Sequence, residues 1–280
     1  MWKRSEGFFE GYQDAKLFFQ VWDPPAAANG LLVITHGHGE HSEAYHRLIK
    51  ALEPLGYRIL AWDLRGHGRS SGQRGYVASF LDYVRDFEAF HNQVVLKQKD
   101  EFPEPVFFAH SMGALVQLKA LSSMMNGTQR TQILTSPFLG LALEVPQAKQ
   151  IAAKFLQTLL PRVTLHNEIN PVDLSRDLDV QNEYSRDFLR HRKISSAAYL
   201  GALESAESVL VKPDIWQGRM LILLAEQDPV VNTRVNLQFV EGLRRAQKTH
   251  HVFERRKHEL VNDLGREEVF EKIRAFLALP

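Results

Sequence analysis

The chain has 280 residues, 44% of them hydrophobic and 24% charged, which suits one large α/β domain or one domain carrying an insertion. A formal net charge of +1 argues against nucleic-acid binding and broad electrostatic steering, and the lack of cysteine excludes disulfides, thiol catalysis and cysteine-ligated metal. No long apolar run follows Met1-Trp2-Lys3-Arg4-Ser5-Glu6, so neither a signal peptide nor a membrane span is expected; the expectation is a cytoplasmic protein, with peripheral membrane contact left open.

In chain order, two aromatic runs within residues 6–22 flank Gly11-Tyr12-Gln13-Asp14 and predict a hairpin. Leu31 to Thr35 reads as a buried strand that runs into His36-Gly37-His38-Gly39-Glu40-His41. Glu43 to Leu55 reads as a helix and Tyr57 to Trp62 as a strand, followed by the polar, glycine-rich loop Asp63 to Gly72. A helix from Phe80 to Lys99 leads to the short apolar strand Val106 to Ala109, a helix from Met112 to Met125 and a strand from Gln132 to Thr135. Residues 137–212 show helical stretches and no convincing strand. Alternation then returns: strand Met220 to Ala225, helix Arg234 to Arg245, strand His251 to Glu254, helix Arg266 to Leu277. Strands alternating with helices imply a mainly parallel sheet covered on both faces. Residues 1–136 and 213–280 form its core, and 137–212 an inserted helical cap.

Ser111 stands between the strand and the helix, with small residues, Ala109 and Gly113, two places to either side. This is the Gly-x-Ser-x-Gly nucleophile elbow with alanine in the first glycine position: large flanking side chains would block the sharp turn that leaves the serine at the tip. The helix start also aims free backbone N–H groups at a developing oxyanion. In open parallel sheets functional groups collect at the carboxyl ends of strands. There the chain delivers Ser111, then Glu226 and Asp228, then His258. A serine at neutral pH needs a base, for which His258 serves, and the base needs an orienting carboxylate. Asp228 is preferred to Glu226 because Pro229 anchors a turn just past it. His250 and His251 sit at the start of their strand, the wrong edge of the sheet. The N–H groups of His38 and Met112 complete an oxyanion hole.

These segments resemble the monoacylglycerol lipase and lysophospholipase group of the α/β-hydrolase superfamily. The matching residues are His36-Gly37-His38-Gly39-Glu40-His41-Ser42, Asp63-Leu64-Arg65-Gly66-His67-Gly68-Arg69-Ser70 with Gly72 and Arg74, the elbow His110-Ser111-Met112-Gly113, Asp228-Pro229-Val230-Val231 and Lys257-His258-Glu259-Leu260. The resemblance spans nearly the whole chain and is weakest in the cap. It implies an α/β-hydrolase fold, a mainly parallel eight-stranded sheet with helices on both faces and an inserted helical cap. It also implies cofactor-free serine hydrolysis of a lipid ester carrying one fatty acyl chain. Ala109 and Ala114 stand where the family usually has glycine, and Tyr184-Ser185-Arg186-Asp187-Phe188-Leu189 lacks the proline of its Asp-Pro-Leu. A short-chain carboxylesterase, a peptidase of the same fold and a non-catalytic binding protein are the alternatives, because fold alone does not decide function.

His36-x-His38-x-Glu40-His41 also fits the His-x-His-x-Asp-His zinc spacing of metallo-β-lactamase-like hydrolases. That reading gives no role to Ser111, Asp228 and His258, so no metal is expected, and His36, Glu40 and His41 are assigned to shaping the oxyanion loop. The Asp63 to Ser70 loop lacks a Walker lysine and is expected to hold loops together through Asp63, Arg65 and Ser70. Within the cap, Gln147 to Leu160 places Ile151, Phe155 and Leu159, with Ala152, Leu156 and Leu160 partly beside them, on one helical stripe near Lys149, Lys154 and Arg162. Ile151, Phe155 and Leu159 are the candidates for the acyl-pocket lining. Lining is preferred to membrane docking, and simple packing on the core is the plainer alternative.

Overall fold

Strands that are apolar at every position do not announce which face each side chain takes; the pleat decides it. In this protein, described as a computed structural model over residues 2–142 and 147–279, the strands are β1 (Lys3–Glu10), β2 (Lys16–Asp23), β3 (Gly30–Thr35), β4 (Tyr57–Trp62), β5 (Val106–His110), β6 (Gln132–Thr135), β7 (Thr164–His166), β8 (Lys193–Ser195), β9 (Arg219–Ala225) and β10 (Gln247–Phe253). The helices are α1 (His46–Ala51), α2 (Leu81–Phe90), α3 (Ser111–Ser123), α4 (Gln147–Leu159), α5 (Pro171–Leu174), α6 (Leu178–Arg186), α7 (Ser196–Leu210), α8 (Thr233–Gly242) and α9 (Arg266–Leu277). Eight strands form one sheet in the order β1-β2-β4-β3-β5-β6-β9-β10. It is parallel from β4 to β10, while the β1–β2 hairpin and the β2–β4 pair are antiparallel.

Alternation along the strands builds two cores. Leu31, Val33, Trp62 and Phe107 pack on one face with Phe87 and Phe90 of α2, Leu115 and Leu118 of α3 and Phe239 of α8. Leu32, Ile34, Phe108 and Leu223 take the other face with Leu48 of α1 and Phe270 and Ile273 of α9. Trp62 and the Phe90 ring stack at 5.2 Å between centroids, tying α2 to β4.

Several elements differ from the sequence expectation. The helix expected over 43–55 is broken into a tight turn at Ser42–Tyr45, the short α1 and another tight turn at Glu53–Leu55, where Pro54 cannot donate to a continuing helix. The helix from residue 80 ends its regular course at Phe90 and continues as a wider turn through Val95. β10 starts at Gln247, four residues before the expected start, so His250 and His251 lie within the strand and not at its beginning. The long crossover between the neighbouring strands β6 and β9 carries α4 to α7, and it also contains a two-stranded antiparallel ribbon, β7–β8, where no strand is expected. Each of these strands has three residues, too few for alternation to register in the sequence.

The ribbon is pinned to the sheet's loops by main chain. Ser195 N–H donates to Gly75 O at 2.7 Å and His191 N–H to Gly39 O at 3.0 Å. Gly39 (φ +76°) and Gly75 (φ +72°) take left-handed backbone, and a Cβ on either would run into a carbonyl of the ribbon segment, His191 O or Lys193 O.

Candidate active site

β5 ends at His110, and the backbone swings at once into α3. Ser111 absorbs the turn with φ of +51°, a left-handed conformation that costs a non-glycine residue energy. The turn holds because α3 lies close over the end of β3: a Cβ on Gly113 would strike the His36 carbonyl oxygen. Ala114 packs fully buried, so alanine fits where the family pattern has glycine. Ser111 is 6% exposed and lies on the wall of a cavity of about 1390 Å³. Typical small-molecule pockets hold roughly 300–1,000 Å³, so this one has room for a long chain plus a head group.

The three residues expected in the order serine, acid, histidine are brought together. The Ser111 hydroxyl lies 2.8 Å from His258 Nε2, and His258 Nδ1 lies 2.8 Å from Asp228 Oδ2. Asp228 follows β9, and its other oxygen accepts the N–H groups of Val230 (2.9 Å) and Val231 (3.0 Å), so the Pro229 turn fixes the carboxylate. The rival Glu226 instead accepts the Arg255 N–H at 2.9 Å, away from the histidine. Burial works against the Asp228 charge, but the His258 charge and hydrogen bond and the two backbone donors hold its carboxyl below the usual range. Burial likewise lowers His258, yet Asp228 outweighs it, with further help from Glu259 and Glu40, and the imidazole ends above its ordinary value. His110, whose ring centroid is 4.7 Å from that of His258, is pushed down to about 3 by burial and by His258 itself.

His38 and Met112 both line the cavity beside Ser111. A Cβ on Gly37 would lie 3.1 Å from Ser111 Cβ, so the loop after β3 is pressed against the elbow. Met112 N–H belongs to the first turn of α3, where no intrahelical acceptor exists. The three other candidate metal ligands diverge. His36 donates from Nδ1 to Gly37 O (2.7 Å) and accepts the Leu64 N–H at Nε2 (3.0 Å). Glu40 accepts the Gly37 N–H (2.5 Å) and the Tyr45 hydroxyl (2.7 Å), and His41 pairs with Asp187 at 2.7 Å. Among the described residues no group of three His, Asp or Glu converges as a metal site requires. Asp63 accepts the Ser42 and Arg69 N–H groups, both at 2.7 Å, and Ser70 bonds Asp63 O and the Phe18 N–H, so this loop ties strand ends together.

The acyl-lining candidates are placed elsewhere. Ile151 is 68% exposed, Phe155 66% and Leu159 58%, and the cavity is lined from α4 by Ala153 and Leu156 instead. A 3.6-residue stripe says that a helix has an apolar face; it does not say which neighbour that face meets. The rest of the apolar wall includes Phe138, Leu141, Leu165, Leu174, Ile194 and Val230. The side chains of Lys149, Ala152 and Lys154 lie outside the described residues.

Three largely buried groups at the site have no role that the sequence reveals. His110 was visible only as part of the elbow and Glu259 only as the neighbour of His258. Arg190 is one charge among many in a polar segment, and nothing in the sequence singles it out.

Residues 26–265 match the family described as serine aminopeptidase, S33. Phospholipase YtpA of Bacillus subtilis (strain 168) is 30% identical over 256 residues, covering 91% of this chain and 96% of that protein. The monoglyceride lipase of Homo sapiens is 30% identical over 260 residues, 89% of this chain and 81% of the relative. The crystal structure of the Paleococcus ferrophilus monoacylglycerol lipase superposes with a TM-score of 0.77 at 25% identity, covering 99% of this chain and 98% of that one.

Proposed function

Because the chain belongs to the serine aminopeptidase S33 family of hydrolases, we propose that it cleaves a carboxylic ester of one fatty acyl chain, a monoacylglycerol or lysophospholipid, through an acyl-enzyme on Ser111. The observation that carries the reading is the Ser111–His258–Asp228 hydrogen-bond chain, with Ser111 and His258 on the wall of a large, mainly apolar cavity. Ser111 Oγ attacks the ester carbon as His258 Nε2 takes its proton. The carbonyl oxygen, now an oxyanion, accepts from the Met112 and His38 N–H groups. Asp228 keeps His258 in the Nδ1–H tautomer and stabilises the imidazolium. Collapse of the tetrahedral intermediate expels the alcohol, which leaves with the proton from His258. Water, deprotonated by the same nitrogen, then attacks the acyl-enzyme and releases the fatty acid and the free serine.

The names of the relatives cited above support a lipid ester, and so does the chemistry of the cavity. An aminopeptidase needs a carboxylate free to hold a substrate ammonium. Here Glu40 and Glu259 are engaged by Arg190 and hydroxyl donors, and Asp187 by His41, which leaves the exposed Glu168 as the other carboxylate on the cavity wall among the described residues. The helical crossover, residues 137–212, is the cap in this reading. The exposed Ile151, Phe155 and Leu159 of α4, with the adjoining Leu160, give it an apolar outer surface suited to transient contact with a membrane that supplies the substrate. No helix among the described residues is long and apolar enough to cross a membrane.

The test is fatty-acid release by wild type and Ser111→Ala from monoacylglycerols, lysophospholipids, diacylglycerols, short-chain esters and peptide amides, with and without chelator. Long-chain monoesters should be turned over in a Ser111-dependent, chelator-insensitive way. Turnover confined to short esters or to peptide amides would overturn the lipid assignment, and activity surviving in Ser111→Ala would overturn the mechanism.

A further inference from the structure

Three ionisable groups without a part in that chemistry line the cavity beside it, largely buried. Glu40 (2% exposed) lies in the loop after β3, Glu259 (3% exposed) directly follows His258, and Arg190 comes from the crossover between α6 and β8. Arg190 Nη1 lies 3.0 Å from Glu259 Oε1, and Nη2 lies 3.4 Å from Glu259 Oε2 and 3.6 Å from Glu40 Oε2. The guanidinium carbon stands 3.5 Å from the centre of the Tyr184 ring, whose hydroxyl donates to Glu259 Oε2. Asn262 donates to the same oxygen at 2.9 Å.

A buried ion cluster can be mere architecture, and a good hydrophobic replacement would then serve as well. The connectivity argues for more. Glu40 holds the Gly37 N–H, and the next residue is His38, the proposed oxyanion donor. Glu259 is the covalent neighbour of the proposed base. One cation from the crossover therefore grips both loops that carry the reaction.

Resting on the serine-hydrolase reading above, we propose that Arg190 is a positioning residue: seated in the site by the crossover, it fixes the oxyanion loop through Glu40 and the histidine loop through Glu259. The charges around these groups make this measurable. His258 is faced by Asp228, Glu259, Glu40 and, across its ring, His110; Glu40 is faced by Arg190, Glu259 and Tyr45. Burial and the Glu259 charge already push the Glu40 carboxyl up to about 7 against the pull of Arg190. Without Arg190, Glu40 takes up a proton at still higher pH, and the uncompensated Glu259 charge raises His258. Both groups act deprotonated, so the acidic limb of the rate profile moves to higher pH.

The experiment compares wild type, Ser111→Ala, Arg190→Met, Arg190→Lys and Arg190→Ala on a short, soluble nitrophenyl ester across about pH 5–9. Arg190→Met should lose about 10–100-fold in kcat/KM at neutral pH, mostly in kcat, with the acidic limb displaced upward by about half a unit or more. Arg190→Lys, which keeps the charge but not the fork, should return the limb towards its wild-type position without restoring kcat. Guanidinium ion, but not sodium at equal strength, should restore part of the Arg190→Ala rate, because Arg190 lines the cavity. Folded variants with an unmoved limb, or a uniform loss that guanidinium does not relieve, would overturn the proposal. If Arg190→Met does not fold, the Arg190→Lys and guanidinium results decide it. Absence of Ser111-dependent turnover in wild type would sink the hydrolase reading instead. NMR titration of the His258 imidazole in wild type and Arg190→Met would then decide the coupling alone, an unshifted titration rejecting it.

Discussion

Replacing Arg65 by alanine should cost the fold far more than it costs the reaction. Arg65 closes a fork on Asp86 of α2, with Nε 2.5 Å from Oδ2 and Nη2 2.6 Å from Oδ1, while Nη2 also donates to Tyr12 O at 2.6 Å. The Asp86 side chain is fully buried and that of Arg65 is 13% exposed. After the substitution Asp86 keeps the Tyr12 N–H (2.8 Å) and no counter-charge from this pair. Breaking a buried pair by deleting one partner costs about 3–5 kcal/mol. Protonation caps the electrostatic part, because neutralising an ordinary carboxyl at pH 7 costs about 4 kcal/mol. A loss of about 3–4 kcal/mol is therefore expected, out of roughly 5–15 for a typical domain. The sign of its pH dependence follows from burial, which already holds Asp86 above its ordinary value of 3.8 although Arg65 pulls it down. A folded-state pKa raised above the unfolded one means that stability is fully present below the unfolded value and is lost as pH rises through the folded one. Deleting Arg65 raises the folded value further, so the deficit should grow with pH, by at most about 1.4 kcal/mol per unit, and shrink as pH falls towards about 4. Urea unfolding of wild type, Arg65→Ala, Asp86→Asn and the double variant at several pH values measures it. A deficit under about 1 kcal/mol, or one equal at every pH, refutes the electrostatic account. Folded Arg65→Ala should keep kcat within a few-fold, and an inactive but stable variant would refute the structural role.

Asp228→Asn should lower kcat by roughly 10⁴ while Glu226→Gln stays near wild type, since only Asp228 reaches His258; steady-state kinetics with equal losses would reverse the assignment. Because His258 is held above its ordinary 6.5 and acts as a base, the wild-type kcat/KM should rise with pH through a midpoint above that value. A midpoint below it would show that the neighbouring carboxylates do not act on the ring as described. Ile151→Asp with Phe155→Asp should abolish cosedimentation with lipid vesicles and leave hydrolysis of a short soluble ester unchanged; vesicle binding that persists would dispose of membrane contact through α4.

The legible parts of this chain were those where local sequence and global fold make the same demand. Ser111 stands out because a strand must turn into a helix within one residue, and small neighbours are the local signature of that turn. The β3, β4, β5 and β9 strands stand out because burial on both faces demands mainly apolar residues, with Arg58 and Arg219 confined to the partly exposed starts of β4 and β9. The order of Ser111, Asp228 and His258 was readable because each follows a strand whose end reaches one edge of the sheet. Direction was harder to read than existence. Ile151, Phe155 and Leu159 make an apolar stripe whichever way α4 is rolled, and it faces outward here. The β7–β8 ribbon is held by backbone bonds at Gly39 and Gly75, which leave little mark on side-chain pattern. Arg190 could not be read at all, because its partners lie far from it in the chain and meet it only in three dimensions.

The pinning of the ribbon at Gly39 and Gly75 bears on how such a cavity can diverge. On that side the wall is fixed by carbonyl oxygens packed against left-handed glycines, and any side chain at either position lifts it. On the α4 side the cavity meets Ala153 and Leu156, where an exchange of size changes volume without touching the main chain of the sheet. Mutational drift thus has one permissive wall and one intolerant wall. Acyl-length preference can change along α4 while the reaction centre keeps its geometry, so a library confined to that helix is the economical place to select new substrate ranges.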